Sequence, residues 1–333
     1  MHRSCWLLAA ALLLPIAAAA GPSGYHHTRT VPLPGNEGWD DLAIHQPTHR
    51  LFITHGIHVV VVNLKDFTIA GDIPNTPRAH GVAFSPGLGF ISNGGDNTVS
   101  VFDLKTLQVS KRIAVGKGPD AIIYDTWSKK VLTFNGGSND ASVIDVASLT
   151  VDGTIPLGGK PEFAAPDGNG KVFVNMEDTS EIVTLDPKKM VVLKRWPLAP
   201  CEEPSGFAID VAHNRLFSGC HNKMMAVTDA KTGKIVATPP IGQGVDGNRY
   251  DPATHLAFSS NGGDATLTVV REVTPNKFEV VEDVPTQKGA RTMVLDTVSH
   301  AVYLVTADFG PPVAPGTRPS IVPGTVRLLV YAK

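Results

Sequence analysis

The sequence has little charge, few aromatic residues and almost no cysteine. Charged residues make up 18% of the chain, aromatic residues 7%, and the three cysteines are Cys5, Cys201 and Cys220. The formal net charge is −2 and there is no basic tract, so a general affinity for nucleic acid is not expected. Only Cys201 and Cys220 lie beyond the N-terminal segment. They predict one disulfide, and soft metal ligation together with His221 is the alternative.

Long hydrophobic runs are also missing, except at the N-terminus. Residues 6–20 are apolar, follow Arg3, and end in an Ala-x-Ala pattern before Gly21. This pattern is typical of a cleaved secretory signal and is too short for a stable membrane span. We therefore expect removal of residues 1–20 and a single periplasmic or secreted domain, residues 21–333, with no membrane span. Loss of Arg3 would leave 28 basic residues against 31 acidic ones.

One unit recurs seven times along the chain. Each copy contains a short apolar strand whose last residue is equivalent in all copies; these residues are His45, Ser85, Asp125, Asp167, Asp210, Asp251 and Asp296. The steps between them are 40, 40, 42, 43, 41 and 45 residues. Such a period without a helical pattern is typical of a β-propeller with one four-stranded blade per repeat. The sequence therefore predicts an all-β, seven-bladed β-propeller, with strands named a to d from the axis outward.

The last repeat lacks its fourth strand. Residues 291–296, 301–306 and 326–332 supply strands a, b and c, and the opening segment "YHHTRTVPLPG" has the pattern of strand d. We expect this N-terminal strand to complete the last blade, because the pairing removes an exposed sheet edge.

The dipeptide Asn-Gly recurs between strands b and c. It occurs at Asn93, Asn135 and Asn261. Asn-Gly between alternating strands is the strongest short hairpin signal, because both residues tolerate positive φ. The primary prediction for these motifs is therefore that they form turns.

Two segments, "DNTVSVFDLKTLQVSKRIAVGKGPDAI" and "HNRLFSGCHNKMMAVTDAKTGKIVATPPIGQGVDG", resemble the YncE-like group of the YVTN β-propeller family. The family's Tyr-Val-Thr-Asn motif corresponds here to "FISN", "LTFN", "VFVN" and "AFSSN". The resemblance covers essentially the whole mature chain and implies a secreted or periplasmic seven-bladed propeller. A DNA-binding role is attached to the member that names the group, but likeness of fold alone carries no function.

Strand a begins, and strand b ends, on the same face of such a propeller, which predicts two rings of side chains. The inner ring surrounds the mouth of the central channel and consists of Asp40, His80, Asp120, Glu162, Ser205, Asp246 and Arg291. The outer ring consists of His55, Asn93, Asn135, Asn175, Cys220, Asn261 and Thr306. We expect a ligand to contact the charged inner-ring residues, the four asparagines, and Arg318 from the proline-rich segment 307–325.

The inner ring brings four carboxylates together with one histidine and one arginine. Like charges this close must protonate, pair with Arg291 or hold a cation. One interpretation is a single divalent ion held by Asp120, Glu162 and Asp246, with His80 as general base and Arg291 stabilising an oxyanion. The alternative for each acid is capping of loop N–H groups.

Histidines occur on both faces. His55 and His58 flank the b-to-c turn of the first blade and could hold a transition metal with His80, although their spacing is typical of a metal pair chiefly on a helix. The histidines just before strand b lie on the opposite face and are interpreted as turn residues packed against the next repeat; they are His49, His213, His255 and His300.

Three functions are consistent with these observations. The first is a non-catalytic, monomeric scaffold that holds a small molecule, glycan, peptide or envelope protein at the channel mouth; the lack of Gly-x-Ser-x-Gly, phosphate-loop and helix-borne zinc motifs favours it. The second is a metal-dependent lyase or hydrolase, similar to the lactonases, with its site in the same mouth. The third is DNA binding, which the acidic mouth disfavours.

Overall fold

The computed structural model describes residues 22–312 and 319–333. Seven four-stranded antiparallel sheets form the blades of a β-propeller, which confirms the fold predicted from the repeats. The expected signal segment and Arg318 lie outside the described residues. One 3-10 turn, Gln46–Thr48, is the only helical element in the two described ranges. None of the described residues belongs to a helix long and apolar enough to cross a membrane.

The strands follow one another blade by blade along the chain. The N-terminal strand is β1 (His26–Pro32). Blade 1 is β2 (Trp39–His45), β3 (Arg50–His55), β4 (His58–Asn63) and β5 (Ile69–Pro74). Blade 2 is β6 (Ala79–Ser85), β7 (Leu88–Asn93), β8 (Thr98–Asp103) and β9 (Val109–Ala114). Blade 3 is β10 (Pro119–Asp125), β11 (Lys130–Asn135), β12 (Asp140–Asp145) and β13 (Thr150–Pro156).

The remaining blades repeat this order. Blade 4 is β14 (Pro161–Pro166), β15 (Val172–Met176), β16 (Glu181–Asp186) and β17 (Val191–Pro197). Blade 5 is β18 (Pro204–Asp210), β19 (Arg215–Cys220), β20 (Met224–Asp229) and β21 (Ile235–Ala237). Blade 6 is β22 (Val245–Asp251), β23 (Leu256–Asn261), β24 (Thr266–Thr274) and β25 (Lys277–Pro285). Blade 7 contains β26 (Met293–Leu295), β27 (Val302–Thr306) and β28 (Arg327–Ala332).

The N-terminal strand completes blade 7, as predicted. Strand β1 pairs antiparallel with β28, from His26 opposite Ala332 to Pro32 opposite Arg327. Just before β1, the buried ring of Tyr25 meets Phe258 of blade 6 edge-on at 5.1 Å, and its hydroxyl donates to the carbonyl of His300 at 2.8 Å. The ends of the chain thus close the propeller and fasten blade 7 to blade 6.

The hydrophobic core lies between neighbouring blades. Strand b carries an aromatic residue three positions before its end in several repeats, and Phe52, Phe90, Phe217 and Phe258 at this position are fully buried. The face of one blade packs against the face of the next; for example, Leu51 of blade 1 and Tyr303 of blade 7 share one apolar cluster. Burial of both faces explains why the centres of strands b and c are continuous apolar runs, such as Val59–Val62 in β4.

The Asn-Gly motifs form turns between strands b and c, as predicted, but neither the Asn nor the Gly of these motifs has a positive φ. Strand β7 ends at Asn93 and β8 begins at Thr98, so four residues make the connection. The residue with positive φ is the last of the four, Asn97 at 58°, and its equivalents are Asn139 at 57° and Ala265 at 57°. Positive φ therefore does not explain why Gly follows Asn in these motifs.

Candidate functional site at the channel mouth

All seven inner-ring side chains line one cavity. It has a volume of about 570 Å³ and opens on the face where strand a begins. Six carboxylate side chains but only three Lys or Arg side chains line this cavity, and the acids are Asp40, Asp41, Asp120, Glu162, Glu177 and Asp246. The mouth is therefore acidic and of a size typical for small-ligand sites.

A β-bulge at the start of strand a aims the ring side chains toward the axis. In blade 2 the pairing of β6 with β7 shifts register between Ala79 and Val82, and His80 lies within this irregularity. Strands β2, β10, β14, β18 and β22 show the same shift around their own ring residues. A bulge bends a strand and changes the direction of its side chains. The recurring bulge therefore turns the side chain at each of these ring positions toward the channel mouth.

The Asn-Gly-Gly loops hold the segment that precedes each ring residue. The backbone N–H groups of Gly94 and Gly95 donate to the carbonyls of Arg78 and Pro77 at 2.9 and 3.0 Å. A Cβ atom on Gly94 would lie 2.6 Å from Nε2 of His80. Glycine is thus required here for close approach.

The same pair of hydrogen bonds from the two glycine N–H groups recurs in two further repeats. Gly136 and Gly137 donate to the loop before Asp120, and Gly262 and Gly263 donate to the loop before Asp246. The recurring Asn-Gly-Gly is therefore a positioning element for the ring.

Buried hydroxyls fix the backbone of the ring from behind. Thr54 Oγ1 lies 3.0 Å from the carbonyl oxygens of both Asp41 and His80, so it bridges blades 1 and 2. Ser92 donates in the same way to Asp120, and Thr292 donates to Asp40 at 2.6 Å. These contacts link neighbouring inner strands.

A network of ion pairs runs around most of the ring. Ser205 donates to Asp246 at 2.7 Å, Arg291 Nε donates to the other oxygen of Asp246 at 2.8 Å, and Arg291 Nη2 lies 3.4 Å from Asp40. Asp40 in turn bonds to Nδ1 of His80. Five blades thereby share one chain of charge-assisted contacts.

The chain of contacts ends at Asp120. Its Oδ1 atom lies 3.6 Å from Nδ1 of His80, which is already bonded to Asp40. Ligand atoms of Asp40, His80 and Asp120 lie within 4.8 Å of one another. Three blades thus supply two carboxylates and an imidazole to one point, a donor set that suits a divalent cation.

Burial changes the protonation of these groups. Burial, reinforced by Asp40, raises the pKa of Asp120 to about 6, and burial raises the pKa of Asp41 to about 6 despite the nearby Arg249. Burial acts to lower the pKa of His80, but its bond to Asp40 and the charge of Asp120 outweigh burial and raise that pKa. The mouth therefore takes up protons more readily than exposed side chains would.

Glu162 has its own cationic partner. Lys160 Nζ lies 2.8 Å from Glu162 and also contacts Glu177. Burial and the Asp120 carboxylate nevertheless raise the pKa of Glu162 to about 8. Because Glu162 pairs with Lys160 and Asp246 pairs with Arg291, the structure does not group Asp120, Glu162 and Asp246 around one point; the group is Asp40, His80 and Asp120 instead.

The outer-ring asparagines do not line the mouth. Asn93, Asn135, Asn175 and Asn261 are fully buried. Three of them donate from Nδ2 to side chains at the start of the adjacent strand c, as Asn93 does to Thr98 and Ser100. Asn175 donates to the carbonyls of Ser205 and Gly206 in blade 5. Their amides are used by the fold, and this corrects the expectation that they face a ligand.

His55 belongs to a different cluster from His80. Its Nδ1 atom lies 2.9 Å from Nε2 of His58 and 3.7 Å from Glu37, and His58 also bonds to Asp72. Burial, with a contribution from His58, lowers the pKa of His55. The sequence predicted that His55 and His80 bind the same metal ion, but the structure places them in separate clusters. His80 lies at the mouth, and His55 lies beside Glu37.

The two cysteines in the described ranges form a disulfide, as expected. Cys201 and Cys220 are bonded, with their Cα atoms 5.5 Å apart, and both are buried. The bond joins the loop before strand a of blade 5 to the end of its strand b, so it stiffens the rim. The alternative of soft metal ligation with His221 is thereby excluded.

Repeat alignment missed several residues that line the mouth. Asp41 follows the ring residue of blade 1, and Glu177 and His221 come from b-to-c loops just after the outer ring. These residues could have been found in the sequence by looking for ionisable residues within two positions of each inner-ring or outer-ring residue. Arg318, expected to overhang the mouth, lies outside the described residues.

No protein-family model matches the chain, and no curated protein is similar in sequence. Among solved structures, a chain of the hydrazine synthase of Kuenenia stuttgartiensis has a TM-score of 0.70 at 16% identity, covering 81% of this chain and 93% of its own. A chain of the mitotic checkpoint complex has a TM-score of 0.74 at 14% identity, with 91% and 95% covered. U3-55K has a TM-score of 0.73 at 9% identity, with 91% and 98% covered. At these identities the likeness shows a shared propeller fold.

Proposed function

We propose that this chain is an exported binding scaffold, similar to the YncE-like propellers, that holds a ligand with a cationic group at the channel mouth. One observation carries the proposal: Asp40, His80 and Asp120 converge from three blades in a cavity where carboxylates outnumber Lys and Arg two to one. A divalent ion or a protonated amine bound there would offset the burial and the repulsion that together raise the pKa of Asp120. The disulfide is compatible with a periplasmic or secreted location.

The ligand can be a small molecule, a glycan, a peptide or the side chain of an envelope protein. The volume of about 570 Å³ accommodates a compact group. Arg78, Lys160 and Arg291 stand on the wall and could pair with an anionic part of the same ligand. Nucleic acid is disfavoured, because the acidic lining would repel phosphates.

The pH dependence of binding separates the two kinds of cation. His80 faces Asp40, Asp120 and Arg78, and its pKa is raised. A metal ion requires the neutral imidazole and so displaces a proton. Metal binding should therefore strengthen as the pH rises from 6 to 8, whereas an amine can pair with the carboxylates without deprotonating His80.

The test is calorimetric titration of protein exported to a periplasm, purified and stripped of metal. Mn²⁺, Zn²⁺ and the diamine putrescine are titrated separately into the parent, Asp120→Asn and Glu202→Gln. Glu202 is an exposed acid outside the cavity, so its variant is the matched control. Loss of one binding event only in Asp120→Asn supports the proposal. Equal binding by all three proteins would overturn it.

The Asp40, His80 and Asp120 group also favours a second function, a metal-dependent lyase or hydrolase. These residues would hold the ion, which would polarise the substrate. Arg291 is bonded to Asp246 and Trp39 and is one-third exposed, so its guanidinium is fixed beside the ion site and could stabilise an oxyanion. Metal-loaded protein should then turn over a lactone, a uronic-acid glycan or a cyclic peptide, and His80→Asn should abolish turnover. Metal binding without turnover would leave the scaffold function.

A further inference from the structure

A further cluster of metal-ligating side chains lies on the face opposite the mouth, between blades 5 and 6. Asp210 ends β18, and His213 follows it in the a-to-b turn of blade 5. His255 lies in the equivalent turn of blade 6, and Glu272 lies near the end of β24. Ligand atoms of His213, His255 and Glu272 lie within 4.8 Å of one another.

Two buried carboxylates converge on one imidazole nitrogen. Nδ1 of His213 lies 2.7 Å from Oδ2 of Asp210 and 3.0 Å from Oε1 of Glu272, and each acidic side chain is only 2% exposed. Both contacts are within ion-pair distance but lack the angles of a hydrogen bond, so among the described residues none of these three buried atoms has a hydrogen-bond partner. One nitrogen carries at most one proton, so it cannot satisfy both carboxylates. An unpaired buried acceptor is costly, and a cation at this point would remove the cost.

The other blades show that the fold does not require an acid at position 272. Arg271 lies opposite Leu256, the first residue of strand b in blade 6, and Asp103 lies opposite Leu88, the first residue of strand b in blade 2. Glu272, which follows Arg271, is therefore equivalent to the residue after Asp103. In blades 1 to 5 the equivalent residue is apolar, namely Leu64, Leu104, Val146, Pro187 and Ala230, and in blade 7 it is the exposed Lys333. Blade 6 therefore buries a carboxylate where blades 1 to 5 have a hydrocarbon side chain.

His213 is also a departure from the repeat. It comes three residues after Asp210, and the same position after Asp251 and Asp296 holds a hydroxyl. Thr254 donates to Asp251 at 2.7 Å, and Ser299 donates to Asp296 at 2.6 Å. Blade 5 places an imidazole, a metal ligand, where these blades place a simple hydrogen-bond donor.

We propose that Asp210, His213, His255 and Glu272 bind a divalent transition ion such as Zn²⁺ that clamps blade 5 to blade 6. His213, His255 and Glu272 would supply three ligands of a tetrahedral site, and Asp210, whose Oδ2 atom lies 2.7 Å from Nδ1 of His213, stands beside them as the fourth. Ligand atoms of a tetrahedral zinc site lie about 3.3 Å apart, given bonds of about 2.0 Å. The 2.7 and 3.0 Å contacts of His213 with the two acids would therefore have to widen when an ion binds. Tyr250 donates to the second oxygen of Glu272 and lies 3.3 Å from Nδ1 of His255, which orients both ligands.

The test is titration of Zn²⁺ into metal-stripped Asp120→Asn protein, which lacks the proposed mouth site. In this background we compare His255→Gln, Glu272→Leu and, as the control, His49→Gln. His255 and His49 are both exposed and have φ of 55° and 49° in equivalent turns, so the two substitutions carry the same backbone strain. Glu272→Leu installs the residue that blade 2 has at this place.

We expect Asp120→Asn and its His49→Gln variant to bind one equivalent of Zn²⁺ and to unfold at a higher temperature with Zn²⁺ than without. His255→Gln and Glu272→Leu should weaken binding by at least about tenfold. Co²⁺ bound to the background protein should give the absorption spectrum of a tetrahedral ion. Absence of a stoichiometric Zn²⁺ site in the background, or unchanged affinity in both ligand variants, would overturn the proposal. Failure of the mouth proposal has a different signature, since parent and Asp120→Asn would then bind the same number of ions.

Discussion

Gly94 stands so close to His80 that any side chain at position 94 would occupy the space of the imidazole. The Cβ atom of an alanine there would lie 2.6 Å from Nε2 and 2.7 Å from Cδ2 of His80. The loop between strands b and c of blade 2 therefore determines where its ring residue can stand.

Gly94→Ala should weaken cation binding at the mouth without unfolding the protein. The added methyl group pushes His80 away from Asp40 and Asp120, and a displacement of about 1 Å is costly in a preorganised site. We expect a loss in affinity of about tenfold, measured by calorimetry.

Gly136→Ala is the matched control. Gly136 has the same place in blade 3, but its Cβ would meet Lys160 at an ordinary 3.6 Å. Equal losses in the two variants would show that His80 is not held by this contact.

Glu162→Gln should reduce the loss of stability between pH 5 and pH 8. The folded-state pKa of Glu162 is about 8 against a usual value of 4.5, so the folded protein keeps a proton that the unfolded chain releases in this window. The free energy of unfolding therefore falls as the pH rises toward 8. Urea unfolding at the two pH values should show a smaller decrease in the variant than in the parent.

The opposite effect of His55, whose pKa is lowered, is common to both proteins and cancels in the comparison. Exposed Glu202→Gln should leave the decrease unchanged. A decrease in Glu162→Gln as large as that of the parent would contradict the assigned protonation.

Tyr25→Ala should lower the free energy of unfolding by about 3 kcal/mol or more, as expected for truncation of a buried aromatic side chain. The ring packs on Phe258 and holds the closing strand against blade 6. Tyr25→Phe removes only the hydrogen bond to His300 and should cost about 1 kcal/mol. Similar losses for both variants in denaturant unfolding would mean that the ring does not pack as described.

Removal of the disulfide should cost about 3 kcal/mol. Cys201 and Cys220 are 19 residues apart, and closing a loop of this length restricts the unfolded chain by about that amount. Urea unfolding of the Cys201→Ser, Cys220→Ser double variant measures the change. Addition of a reductant should shift the parent toward the variant and leave the variant itself unaffected.

The repeat made the ring predictable from sequence, because equivalent positions in seven blades must lie at equivalent heights around one axis. The predicted ring, which includes His80 and Arg291, does line a single cavity. The partners of each residue around the ring were not predictable from the repeat. Whether Asp246 pairs with Arg291 or lies beside Asp120 depends on the length and conformation of individual side chains. The spacing of the repeats carries no information about these conformations.

The asparagines show the other limit of the sequence. Asn93 and its equivalents lie at the correct height to face a ligand, but they are buried, and their amides bond to strand c or, for Asn175, to the backbone of blade 5. A hydrogen-bonding residue that is repeated for structural reasons looks the same in sequence as one repeated for binding.

The closing strand has a consequence for the order in which the chain is made. Thr28 in β1 donates to Val330 in β28, 302 residues later. During synthesis β1 must therefore stay without its partner until nearly every other described residue has been added. Blades 1 to 6 can each pair their strands as they emerge, but the ring can close only after the last blade is complete. Any factor that protects this chain on the way to its destination has to cover an unpaired N-terminal strand for that whole interval.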